Sequence, residues 1–175
     1  MPVSSKISGT MERSSWIRKM FEQGLQLKEQ FGEENVFDFS LGNPDLNPPI
    51  EFYDVMRDLA GREEKGIHGY MPNAGFPEAR KAIAARVSRD QEVEVPWEMV
   101  VTSCGAAGGL NVVLKTILDP GDQVLAPKPY FVEYGAYVDN HQGELVLVAT
   151  NDDFSLDIDA IKKSLGGKTR AVLIN

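Results

Sequence analysis

The chain has 175 residues, 42% of them apolar and 9% aromatic, enough for one ordinary domain with a real core, or for one domain and part of another. A net charge of −8 argues against a nucleic-acid partner, which would want clustered Lys and Arg, and leaves room for a small anionic ligand that answers to a local field. One cysteine, Cys104, excludes a disulfide framework within the chain; no apolar run has the ~18 residues of a membrane helix, and the stretch with Lys6, Arg13 and Arg18 lacks a signal-peptide core, so the expectation is a cytoplasmic protein with no membrane partner.

Residues 1–10 are polar and are expected to be mobile. Over 11–31 the apolar Trp16, Ile17, Met20, Phe21, Leu25 and Leu27 fall at helical spacing, which predicts an amphipathic arm that packs on another part of the protein or on a partner subunit. Residues 36–41 read as a short strand, Gly42-Asn43-Pro44-Asp45 as a turn, and Pro48-Pro49 stiffens the chain after that turn. A helix over 50–65 carries Phe52, Tyr53, Val55, Met56 and Leu59, and Gly66 can stop it. The loop 66–75 is rich in breakers, and Pro77 at a first-turn position opens a helix over 77–90. Pro96 leads to a strand over 99–103.

From Gly105 to Gly109 no side chain exceeds a methyl group, and a helical stripe of Ala106, Leu110, Val113, Leu114 and Ile117 begins at once. Small residues let a ligand approach the backbone, and the free N–H groups at a helix start favour an anion, so this stretch reads as a phosphate cup. Tight helix–sheet packing would use the same small residues. Asp119-Pro120-Gly121-Asp122 is a turn. Next come a buried strand over 123–126 ending at Pro127, a helix over 131–140, a strand over 144–149, a helix to 165 capped by Ser155 or Asp157, and a strand over 170–174. Alternating strands and helices at this spacing define the fold class: α/β, a mostly parallel sheet with helices on both faces, preceded by an N-terminal helical arm. In such sheets ligands sit beyond the carboxyl ends of the strands, and 171–175 ends there, so the loop expected to continue it would carry site residues. The chain is therefore expected to be truncated.

Five segments in this order resemble the fold-type I pyridoxal 5′-phosphate (PLP) enzymes of the class I/II aminotransferase family. They are Ser40 to Asp45, with Gly-x-Pro-Asp; Tyr70 to Arg80, with Tyr-x-x-x-x-Gly-x-x-x-x-Arg; Thr102 to Leu110; Asp119 to Asp122; and Pro127-Lys128-Pro129-Tyr130-Phe131 with Tyr134. The resemblance spans about residues 36–175. It implies PLP as cofactor, amino-group transfer from an amino acid to a 2-oxo acid, and a homodimer with shared sites. The domains it suggests are 1–48, the arm and a small-domain segment, and 49–175, the N-terminal half of the PLP-binding large domain. The family's Schiff-base lysine, pyridine-facing Asp and substrate-carboxylate Arg would all follow residue 175, so the chain alone is expected to be inactive. Other fold-type I chemistry (a C–S lyase, a decarboxylase or a cyclopropane-forming synthase) and a non-catalytic binding or assembly module are the alternatives.

Residue by residue, the resemblance implies that Gly105, Ala106 and Ala107 hold the cofactor phosphate. Relatives often place a hydroxyl or basic side chain at position 107, whereas Ala107 offers only its backbone. Phe131 aligns with the aromatic residue that stacks on the cofactor ring, with Tyr130 or Tyr134 as the alternative. Tyr70 aligns with the tyrosine that reaches the partner subunit's cofactor phosphate, and Gly42 with the glycine beside the substrate carboxylate. Lys128 lies between two prolines and reads as a solvated lysine. No catalytic residue and no metal site are assigned, and Cys104 is expected to pack as a small apolar residue under the cup.

Overall fold

The computed structural model describes residues 2–39 and 46–175, and the chain divides into two compact units, Met1–Ile67 and His68–Asn175. In the first, helix α1 spans Ser5–Phe31. It starts earlier than the apolar periodicity predicts because the Ser4 hydroxyl accepts from the Ile7 N–H at 3.3 Å, an N-cap placed ahead of the apolar stripe. It stops at Gly32, whose φ of 87° only glycine adopts freely. Residues 36–39, expected to begin a strand, have no ladder partner among the described residues. They return along α1 instead: Asp38 pairs with Lys28 at 3.1 Å and lies over Gly24, where a Cβ would stand 3.0 Å from its carboxylate. The rest of that expected strand and the turn at 42–45 fall outside the described residues. Helix α2, Ile50–Ala60, stops short of the expected end at 65: the apolar pattern ends at Leu59 and the Gly61 N–H closes the last turn on the Arg57 carbonyl.

The second unit begins with helices α3, Pro77–Gln91, and α4, Gly105–Ile117. Strand β1 (Gln123–Pro127), helix α5 (Tyr134–Asn140), strand β2 (Glu144–Val148), helix α6 (Ile158–Ser164) and strand β3 (Thr169–Val172) come after them. The sheet is wholly parallel, in the order β2-β1-β3. The crossover through α5 moves one place to one side and that through α6 returns past β1 to the other. Right-handed crossovers therefore place α5 and α6 on opposite faces. On the α5 face Leu114 of α4, Val124 and Val138 form the core, with Leu118, Tyr137, Leu145, Ala171 and Leu173 packed around them. Both faces of β1 are sealed, since Val124, Leu125 and Ala126 have no exposed surface.

The amino ends of the strands are tied at one corner. Gly121, at φ 82°, donates to the Gln142 carbonyl at 2.8 Å; the Gln123 N–H reaches Lys168 and the Glu144 N–H reaches Asp122, both at 2.8 Å. The buried Asp122 carboxylate accepts from the Asp119 N–H at 2.9 Å and from Arg170 Nε of β3 at 2.8 Å.

Two further expectations change in the second unit. Residues 99–103 are not a strand: a 3₁₀ turn, Trp97–Met99, leads into an extended segment that joins no sheet among the described residues. A β-branched run becomes a strand only beside another backbone, and Thr102 instead donates its N–H to the Ala74 carbonyl at 3.0 Å. Helix α5 starts at Tyr134 because residues 131–133 are spent on a turn, closed by the Tyr134 N–H on the Phe131 carbonyl.

Arg170, and then the Asp119 N–H, hold the Asp122 carboxyl below the usual carboxylate range. A folded-state value below the unfolded one means stabilisation that is complete above pH about 4 and is lost as pH falls through the depressed value. Asp122→Asn should thus lower the urea midpoint most near neutral pH, with the gap to the unsubstituted chain closing below pH about 4. A gap that stays constant with pH would contradict this.

Candidate functional site

The first turn of α4 is open. Gly105, Ala106 and Ala107 are exposed, Cys104 at the N-cap makes no side-chain capping bond, and the first N–H groups of a helix have no partner within it. Gly105 has φ 70°, and a Cβ there would meet nothing within 4 Å, so the space in front of the turn is free. The turn is braced from behind: the Ser103 hydroxyl donates to the Gly105 carbonyl at 3.1 Å and crowds Gly109, where a Cβ would lie 3.0 Å from it. Cys104 does not pack under the cup as expected. It is exposed, because an N-cap residue stands ahead of the first turn and no described element covers it.

The connectivity sets which edge of the sheet this turn occupies. Helix α4 feeds through the Asp119 corner into the start of β1, so it runs against the strand and begins at the carboxyl edge. Helix α5, leaving the end of β1, begins at the same edge. A side-chain link agrees: Asn111 donates to the Ala107 carbonyl at 2.9 Å, and its Oδ1 lies 3.1 Å from Nε2 of His141 at the far end of α5. Both helices therefore start together, and Phe131 and Tyr134 share that edge with the cup.

Phe131 is 47% exposed and meets Tyr134 edge to face, centroids 5.6 Å apart at 79°. That contact leaves part of the ring open to a ligand while Tyr134 is buried beneath. The Tyr134 hydroxyl donates to Asn175 Oδ1 at 2.7 Å, joining the start of α5 to the end of the segment after β3. Sequence reasoning did not pair these two residues; the available signal was a polar Asn175 directly after the apolar run 171–174. A cavity of about 180 Å³ at the same edge touches Pro127, Lys128, Thr150 and Asn175, drawing on the ends of all three strands. Lys128 is exposed, and its N–H extends the ladder to the Val148 carbonyl at 2.9 Å. Of the residues singled out from sequence, Gly105, Ala106, Ala107 and Phe131 come to one edge. Tyr70 stands fully in solvent on its loop, and Gly42 lies outside the described residues. Unpaired donors, open space and a half-open aromatic ring suit a ligand with an anionic group and a flat ring.

A parallel sheet with helices on both faces defines the class: an α/β protein, a fold in which ligands ordinarily sit beyond the carboxyl ends of the strands. Within that class residues 34–175 match the family model for aminotransferase class I and II, and the chain belongs to that family. It is 28% identical over 141 residues, 81% of the chain and 37% of the relative, to a probable aspartate aminotransferase of Methanocaldococcus jannaschii. An aspartate aminotransferase of Pyrococcus abyssi is 31% identical over 164 residues, 92% of the chain and 40% of the relative. An aminotransferase structure from Eubacterium rectale superposes with a TM-score of 0.90 at 30% identity, covering 98% of this chain and 44% of that one. The chain thus spans about two fifths of the relatives it matches.

Because a Cβ at position 105 would meet open space, Gly105→Ala isolates the cost of a side chain at φ 70°. It should destabilise the second unit by about 1 kcal/mol in urea unfolding. No loss would mean that the first turn does not hold this conformation.

Proposed function

We propose that the protein is a PLP-dependent aminotransferase that moves an amino group from an amino acid to a 2-oxo acid. The open start of α4 beside Phe131, in a chain of the aminotransferase family, carries this reading. PLP, when bound, supplies the electron sink for the exchange. The residues of the carboxyl edge grip it: the Ala106 and Ala107 N–H groups with Gly105 hold the phosphate, and Phe131 covers one ring face and screens it from water. Tyr134, fixed by Asn175, supports Phe131 from below. In a homodimer Tyr70 donates to the phosphate held by the other subunit, which its full exposure permits; Gly42, outside the described residues, is assigned to the substrate carboxylate by family resemblance alone. Exposed apolar side chains on α2 (Ile50, Phe52, Val55, Met56) support self-association.

We assign residues 1–48 to the arm and a small-domain segment, and 49–175 to the N-terminal half of the PLP-binding large domain. A cytoplasmic location belongs to the same proposal; none of the described helices is long and apolar enough to cross a membrane. The resemblance assigns the lysine that tethers the cofactor to no position among these 175 residues, so in this reading they grip the cofactor without turning over substrate.

Pyridoxamine 5′-phosphate, which lacks the aldehyde that would label surface lysines, is the probe. It should shift the amide resonances of Ala106 and Ala107 in the 175-residue chain. Ala106→Pro deletes one donor at a first-turn position that tolerates proline and should weaken binding about tenfold. Undiminished affinity in that variant would overturn the phosphate assignment. The purified 175-residue chain should show no amino transfer between aspartate and 2-oxoglutarate; measurable turnover would show that the tethering lysine is dispensable or present.

A further inference from the structure

We infer that Arg80 is the positioning residue of the phosphate cup, working with Gly75 to aim the first turn of α4. The inference rests on the reading of that turn as the phosphate site. The segment 100–103 delivers the cup yet has no strand beside it among the described residues, so its backbone groups need other partners. Arg80, on the first turn of α3, supplies them. Its Nε donates to the Val100 carbonyl at 2.6 Å and its Nη2 to the Glu98 carbonyl at 2.9 Å, one planar fork spanning two carbonyls two residues apart. The guanidinium is held over Trp97, 4.7 Å from the ring centroid, with the Lys81 ammonium 5.1 Å from the same ring.

The second hold comes five residues earlier. Gly75 is buried at φ 102°, and a Cβ there would collide with the Thr102 side chain, so only glycine lets the two chains approach this closely. At that contact both the N–H and the hydroxyl of Thr102 donate to the Ala74 carbonyl, at 3.0 and 3.3 Å. Cys104, the N-cap of α4, is two residues beyond Thr102, which leaves little freedom in the direction of the first-turn N–H groups. The same loop carries Tyr70, so the 70–75 loop and the cup are braced on one another. In this assignment Arg80 touches no ligand and acts through the backbone at 98–102.

Arg80→Lys keeps the charge and the contact with Trp97 but loses the fork; Arg80→Gln removes the charge as well. In the 175-residue chain, amide exchange and pyridoxamine 5′-phosphate titration followed by NMR separate the possibilities. Both variants should raise Thr102 amide exchange and weaken the ligand by about three- to tenfold, and should move the Cys104 to Ala107 resonances. Exchange at Val124, Leu125 and Ala126 should stay unchanged. Full rescue by lysine would show that charge alone matters and overturn the assignment, as would equal loosening of β1, which signals a general folding role. If the unsubstituted chain fails to bind the probe at Ala106 and Ala107, the cofactor reading falls. The Thr102 exchange and Cys104 to Ala107 shifts still decide whether Arg80 positions the turn.

Discussion

Parallel pairing of β1 along both its edges is the constraint from which the site arises. A strand with parallel neighbours on each side cannot be joined to either by a hairpin, so each neighbour requires a crossover helix, and the two crossovers must lie on opposite faces. That arrangement removes Val124, Leu125 and Ala126 from water entirely. It also sends α5 away from the same edge at which β3 ends, so chain segments distant in sequence converge there without any local instruction. The opposite edge is closed by charge: Asp122 joins the Asp119 corner to Arg170 of β3, keeping the strand starts in register.

The elements legible in the sequence are those whose reasons are local. Helix α4 shows an apolar stripe, β1 a short apolar run between turn residues, and α6 a capping Asp157 that does accept from the Ala160 N–H at 2.8 Å. Residues 99–103 show the opposite case. Val100 and Val101 have strand propensity, but a ladder needs a second backbone, and side chains and turns take its place here. At α1 a polar residue outside the apolar pattern, Ser4, sets the start, which periodicity alone cannot register.

The site divides along the same line. The open turn is legible as a candidate because a run of small residues heads an apolar helix, although tight helix–sheet packing would use the same residues, and Phe131 is singled out by family resemblance. The bonds that organise them are not legible: Tyr134 to Asn175 spans 41 positions and Arg80 to Val100 spans 20. Spacing and composition mark at most one end of each pairing, a polar Asn175 after an apolar run and Arg80 at the close of its motif; the partner is fixed only after the chain has folded back. The roles of Tyr70 and Gly42 rest on family resemblance, and no contact within the described residues replaces it.

The two edges of the sheet satisfy their polar groups in contrasting ways. At the amino edge the Gln123 and Glu144 amides each have a protein acceptor, and the buried Asp122 carboxylate is matched by a guanidinium. At the carboxyl edge the Gly105 N–H turns back onto the Ser103 carbonyl at 3.0 Å, and the next first-turn amides of α4, Ala106 and Ala107, are left to water. Exposed donors cost little in that state, because water satisfies them, whereas the same donors buried without a partner would cost about 1–3 kcal/mol each. In the proposed reading an anion of the right size would replace that water without disturbing the fold, provided the amides already point at it. Holding that direction is the harder structural requirement, and the brace from α3 answers it: it restrains the backbone before the cup and leaves the space in front clear.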